Sequence, residues 1–162
     1  CRCAEFIRTI QEIDLMAIAQ DVINAIQDCI GNVSGIKAAP DYPPEDMSVF
    51  PFSAAFEGSG TWEWYTSDDT YGSMRGLLSI IVEVHLARID LPKDAMKAAF
   101  YSDAIPNAIM KGVRLNRLNG TVSAIGKIDS SGLIPMSWGS EAKNTIGYRF
   151  VVSGINIKSD IT

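Results

Sequence analysis

The side chains able to do chemistry are few and scattered. There is one histidine, His85, and there are three cysteines, Cys1, Cys3 and Cys29. Adjacent carboxylates occur at Glu45-Asp46 and Asp68-Asp69, and a short glycine-serine run at Gly58-Ser59-Gly60. Structural zinc asks for four ligands, and Cys1-x-Cys3 offers two, with His85 far along the chain. A nucleophile or general base needs an oriented partner, and neither Cys29 nor His85 has one close by in sequence. Cys29 falls on an apolar helical stripe and reads as a small buried residue, while His85 falls on the polar side of a strand pattern and reads as solvated or bonded to a neighbour. The paired carboxylates sit in turn-rich segments and read as solvated charges. Gly58-Ser59-Gly60 is too short for a phosphate cradle and reads as a turn. No phosphate-loop, nucleophile-elbow, His-Glu-x-x-His or Cys-x-x-Cys motif occurs. The expectation is a protein without catalytic residues, cofactor or metal, whose function lies in its surfaces.

Something must still hold those surfaces in place. At 162 residues the chain suits one domain with a real core, and 47% hydrophobic against 20% charged residues is globular rather than disordered usage. The best membrane candidate, Leu77 to Leu91, is interrupted by Glu83, His85, Arg88 and Asp90, so no membrane contact is expected. The odd cysteine count, with two crowded at one end, argues for a reducing cytoplasm. A formal charge of -5 disfavours unaided binding to nucleic acid. The one basic trio, Lys111, Arg114 and Arg117, lacks interleaved aromatics and reads as a solvated or subunit-contacting face. The opening Cys1-Arg2-Cys3 has neither a starting Met nor the build of a signal peptide. Met16 is the more natural start, so residues 1–15 read as an extension able to continue the first helix through Phe6, Ile7, Ile10 and Ile13, ahead of a single domain over 16–162.

Leu15, Ile18, Ala19, Val22, Ile26, Cys29, Ile30 and Val33 recur at helical period, with Asp14 as a cap and Gly31-Asn32 as a stop. Three prolines then make Gly35 to Asp46 an ordered connector. A strand follows over Phe50 to Glu57, with Pro51 marking an edge or a first residue. Beyond the glycine turn, Thr61 to Thr66 alternates so that Trp62 and Trp64 share one face of a projecting hairpin. The pair either covers the core or meets a partner. Leu77 to Ile89 is the strongest strand, with Ile80, Val82, Val84 and Leu86 inward and Ser79, Glu83, His85 and Ala87 on the wetter side. Pro92-Lys93-Asp94 opens a second helix with Ala95, Met96, Ala99 and Phe100 as its buried stripe, kinked or split at Pro106. The last third reads as strands Thr121 to Ile128, Leu133 to Trp138 and Thr145 to Lys158, with a hairpin turn at Asp129-Ser130-Ser131-Gly132. A one-residue slip in the final apolar pattern predicts a bulge at Ser153-Gly154. The sum is an α+β fold: a mostly antiparallel, twisted sheet with two main helices on one face.

The run Gly35-Ile36-Lys37-Ala38-Ala39-Pro40-Asp41-Tyr42-Pro43-Pro44-Glu45 leading to Phe50-Pro51 resembles the start of tail-completion proteins of tailed bacteriophages, the terminator or neck group. Ile105-Pro106-Asn107-Ala108-Ile109, the turn Leu118-Asn119-Gly120-Thr121-Val122 and the closing Gly147-Tyr148-Arg149-Phe150 continue the likeness across about Met16 to Ile157. The resemblance implies a virion subunit forming a hexameric ring at the head-proximal end of a tail. There it ends tube polymerisation and joins the tail tube protein to the head-tail connector protein, around a channel that genomic DNA passes. A tail-tube or head-completion subunit is the nearer alternative, and a small cytoplasmic enzyme, which would need Asp94, Asp103 and His85 to line one cavity, the remoter one. Aromatic density beside a glycine turn makes Trp62, Trp64 and Tyr65, with the loop carrying Asp68, Asp69 and Tyr71, the expected intersubunit or tube-facing contact. The acidic excess is expected to line part of the channel, where like charge keeps DNA from sticking.

Overall fold

The computed structural model describes residues 19–65, 73–88, 95–114 and 122–160. The 1–15 extension, the loop with Asp68, Asp69 and Tyr71, and the Pro92 helix opening lie outside the described residues. Helix α1 covers residues 19–31 and buries Ala19, Val22, Ile23, Ile26 and Ile30, close to the expected stripe. Its end is closed locally: Val33 N–H donates to the Ile30 carbonyl (2.9 Å) and the Asn32 side-chain amide to that of Asp28 (2.7 Å). Then follow β1 (Phe52–Tyr65), β2 (Ser73–Arg88), α2 (Ala95–Arg114), β3 (Val122–Ala124), β4 (Lys127–Trp138) and β5 (Lys143–Asp160).

The strands pair antiparallel in the order β1-β2-β5, with β3 and β4 lying end to end along the far side of β5. Both helices pack on one face. There Val22, Ile26, Ile30, Ile105 and Ile109 join Ile80, Val82, Val84, Phe150 and Val152 in the main core. The fold is α+β, as the sequence pattern indicates. No helix among the described residues is long and apolar enough to cross a membrane.

Three local expectations change. Gly58-Ser59-Gly60 is not a turn: β1 runs through it, and Gly58-Ser59 form a bulge opposite Ser79. The Ser79 hydroxyl accepts from Ser59 N–H (2.8 Å) and donates to the Ser59 carbonyl (3.0 Å), replacing the missing ladder bonds. On the other side of β2, Ser79 also faces the expected bulge at Ser153-Gly154, where Gly154 takes a φ of 67°. Beyond it, Gly126 N–H donates to the Ser153 carbonyl at 3.0 Å. One crease therefore crosses the whole sheet, and bulges at one level bend it around the helices. In β5 the crease keeps Phe150 and Val152, then Ile155 and Ile157, on the helix side.

The hairpin turn expected at Asp129-Ser130-Ser131-Gly132 is a further bulge, Ser131-Gly132 opposite Arg149. The Ser131 hydroxyl accepts the Arg149 N–H (3.0 Å), so a serine-glycine run serves a bulge as well as a turn. The reversal comes later, where Ala142 N–H donates to the Gly139 carbonyl (3.1 Å). Helix α2 is a single element with Pro106 inside it, and among its described side chains the buried positions are Ala98, Ile105, Ile109 and Gly112. Ala99 and Phe100, expected inside, are exposed. The helix carries apolar residues on two sides, and periodicity alone cannot say which side meets the sheet.

Candidate functional site

The sheet face away from the helices carries a smaller second core, built where the sequence suggested a wetter surface. The far end of β4 curls across β5 and β2, so that the Trp138 ring meets Phe52 (centroids 5.4 Å apart) and Phe56 (5.9 Å) of β1. Trp138 also stands edge-on to His85 at 5.2 Å, and His85 stacks on Phe52 at 4.6 Å. The Trp138 indole N–H donates to the Pro44 carbonyl (3.1 Å), and Lys143 Nζ reaches Asp46 Oδ1 (3.1 Å), fastening the β4–β5 tip to the proline-rich connector.

Beneath that cover His85 is fully buried and Glu83 nearly so. His85 Nδ1 lies 2.7 Å from Thr145 Oγ1, and Nε2 lies 3.3 Å from Glu83 Oε2. The other carboxylate oxygen of Glu83 accepts both Nε (2.9 Å) and Nη2 (2.7 Å) of Arg149. An ionised carboxylate only accepts, so the network assigns the proton on Nε2 to His85, and in the neutral ring the Thr145 hydroxyl donates to Nδ1. The hydrogen bond from His85, aided by Arg149, holds the Glu83 carboxyl below its ordinary value of 4.5 against the opposing effect of burial. Every member of the cluster is engaged, and among the described residues no buried side-chain polar atom lacks a partner. The arrangement is suited to joining β2, β5 and the tip rather than to exchanging protons with a substrate. Asp103, exposed on α2, lies on the opposite side of the sheet from His85, so the two do not converge.

A second polar joint lies at Gln27, a residue that the motif pattern does not single out. Its side-chain amide donates to the carbonyls of Pro40 (3.0 Å) and Ser53 (3.1 Å), and its oxygen accepts the Ser53 hydroxyl (2.8 Å). The available signal was its phase, four residues after Ile23 and three before Ile30 on the buried stripe.

Of the expected interface residues, Trp62 is half-buried and packs against the main core. Its ring lies over Gly76 on β2, its register partner, where any Cβ would strike it. Trp62 thus covers a gap in the sheet. Trp64 and Tyr65 end β1, with side chains outside the described set, as Asp68, Asp69 and Tyr71 are altogether.

Among the described residues, large apolar side chains are exposed on both sides of the sheet, besides Tyr42 and Val49 in the segment before β1. On the sheet side Phe56 (36% exposed) and Leu77 (47%) flank the half-buried Ile81 and Val151. On the helix side Phe100 (52%) borders a groove of about 550 Å³ between α1 and α2, and Met110 (44%) is exposed on the same helix. Cys29, Ala104 and Ala108 line the groove with the polar Asp28, Asn32 and Lys111. The Cys29 thiol lies against Gly112 of α2, where a Cβ would strike it, and among the described residues no cluster of metal-ligating side chains occurs. No protein-family model and no curated protein matches the chain.

Proposed function

We propose that this chain is a structural subunit of a bacteriophage virion, assembling through unlike faces into a closed ring at the head-proximal end of the tail. The observation that carries the reading is the pair of open apolar surfaces on opposite sides of one subunit. A ring needs a heterologous contact, one patch meeting a different patch on the next copy with a rotation that closes. The Phe56-Leu77 surface and the Phe100 rim of the α1–α2 groove are such a pair. The outer edge of β4 is a poorer contact, because Pro135 and the Ser131-Gly132 bulge interrupt it. The head-proximal position, the hexameric ring number, and the tail tube and connector partners come from the resemblance in the sequence. A net acidic chain suits a bore that DNA traverses without adhering.

In this reading the protein makes and breaks no bond. Negative-stain images and native mass of the purified chain test it. Closed rings that cap growing tail tubes support it, long tubes would make the chain a tube subunit instead, and a strict monomer at high concentration would reject it.

A further inference from the structure

The β4–β5 tip and the connector hold each other and are tied to the rest of the fold at a few polar points. On one side Trp138 donates to the Pro44 carbonyl and Lys143 pairs with Asp46. At the base Thr145 engages His85, which engages Glu83. On the helix side the connector is held by Gln27 at Pro40, with a longer contact from Gln20 to the Asp41 carbonyl (3.5 Å). The connector therefore passes from α1 around the β1 edge to the opposite face, fixed along that edge by Lys37 N–H to the Pro51 carbonyl and Ser53 N–H to the Ala38 carbonyl (2.9 Å each). The ladder behind the tip is irregular on either side of it: β2 carries one extra residue, Leu86, between His85 and Ala87 opposite the continuous Ile146-Gly147 of β5, and farther along β4 lies the Ser131-Gly132 bulge, with φ of 72° and open space at Gly132. Residues 139–142 are exposed, and Trp138 and Met136 supply the apolar contacts.

We propose that residues 137–144 form a latched flap that opens together with connector residues 41–46 as one unit, while the helix-side core stays closed. Few apolar contacts and several exposed hydrogen bonds define a segment that opens below the global unfolding free energy. The direct contacts between tip and connector couple the two segments. Opening uncovers Phe52 and His85 and frees the connector from its tip contacts, with Gln27 retaining the α1 end.

Hydrogen exchange with mass spectrometry on the full chain tests the proposal. Trp138→Phe keeps the ring and removes the indole donor, and Thr145→Val keeps the shape and removes the bond to His85. Each is expected to speed exchange at 137–144 by about fivefold or more, the effect of one lost hydrogen bond, and to speed cleavage of the connector after Glu45 by a glutamyl endopeptidase by a similar factor, since the amides of 41–46 donate no backbone hydrogen bond among the described residues. Amides of β2 near Val82 are expected to keep their protection. Lys143→Met, a surface change with little risk to folding, is expected to move both segments in the same direction. Faster exchange throughout the molecule, a response in one segment only, or no response in either would overturn the coupled flap.

Discussion

Glu83→Gln probes the buried cluster most sharply, because it removes charge while nearly preserving shape. Glu83 accepts two bonds from Arg149 and one from His85, with its side chain 12% exposed. Losing one partner of a fully buried ion pair costs about 3–5 kcal/mol. Arg149 is 48% exposed and can turn to water, so solvent screening cuts that figure. What remains is the replacement of charge-assisted bonds by neutral ones and a mismatch at His85, whose Nε2 loses a carboxylate acceptor. Together these amount to about 2 kcal/mol at pH 7. For a chain of this size that is a fall of about 4–8 °C in Tm.

The pH dependence has a definite sign. Glu83 is held below its ordinary value of 4.5 in the folded protein, so its contribution is fully present above that value and is lost as pH falls through the lowered folded value. Urea unfolding followed by tryptophan fluorescence is expected to give a gap between wild type and variant that is constant near neutrality and shrinks below about pH 4.5. Equal midpoints at pH 7, or a gap that persists undiminished at pH 3, would refute the account of the cluster.

Gly147→Ala is expected to cost more than about 3 kcal/mol or prevent folding, because its Cβ would strike the Val84 carbonyl, whereas Gly132→Ala, with nothing near it, carries only the left-handed strain of about 1 kcal/mol. Denaturant midpoints compare the two directly. Trp62→Ala is expected to lower subunit stability by about 2–4 kcal/mol by uncovering Gly76, and calorimetry checks it. Phe100→Asp is expected to leave subunit stability within about 0.5 kcal/mol, as an exposed position should, while abolishing rings in electron micrographs.

Much of the fold was legible because its strongest patterns were unambiguous. The α1 stripe, the long β2 alternation and the slip at Ser153-Gly154 each have one physical reading, and each appears in the structure. Other segments had two. Glycine-serine runs suit turns and bulges alike, and at Gly58-Ser59 and Ser131-Gly132 the hydroxyls of Ser79 and Ser131 favour continuing the strand. The phase of α2 was ambiguous because Ala99 and Phe100 are as apolar as Ala98 and Ile105, and only packing against the sheet separates them. The buried state of His85 was invisible because it depends on Trp138 reaching across β5 to cover it, a contact no local pattern encodes. Trp62 suits cover or contact by its pattern alone, and its place over Gly76 supports cover.

The most direct test of a ring-forming subunit is the mass of the assembly in solution across a concentration series, measured on the unmodified chain beside Phe100→Asp and Leu77→Asp. The account predicts one closed oligomer for the unmodified chain and monomers for both variants, although the two residues lie on opposite faces. A monomeric parent chain, or variants that assemble as well as the parent, would contradict it.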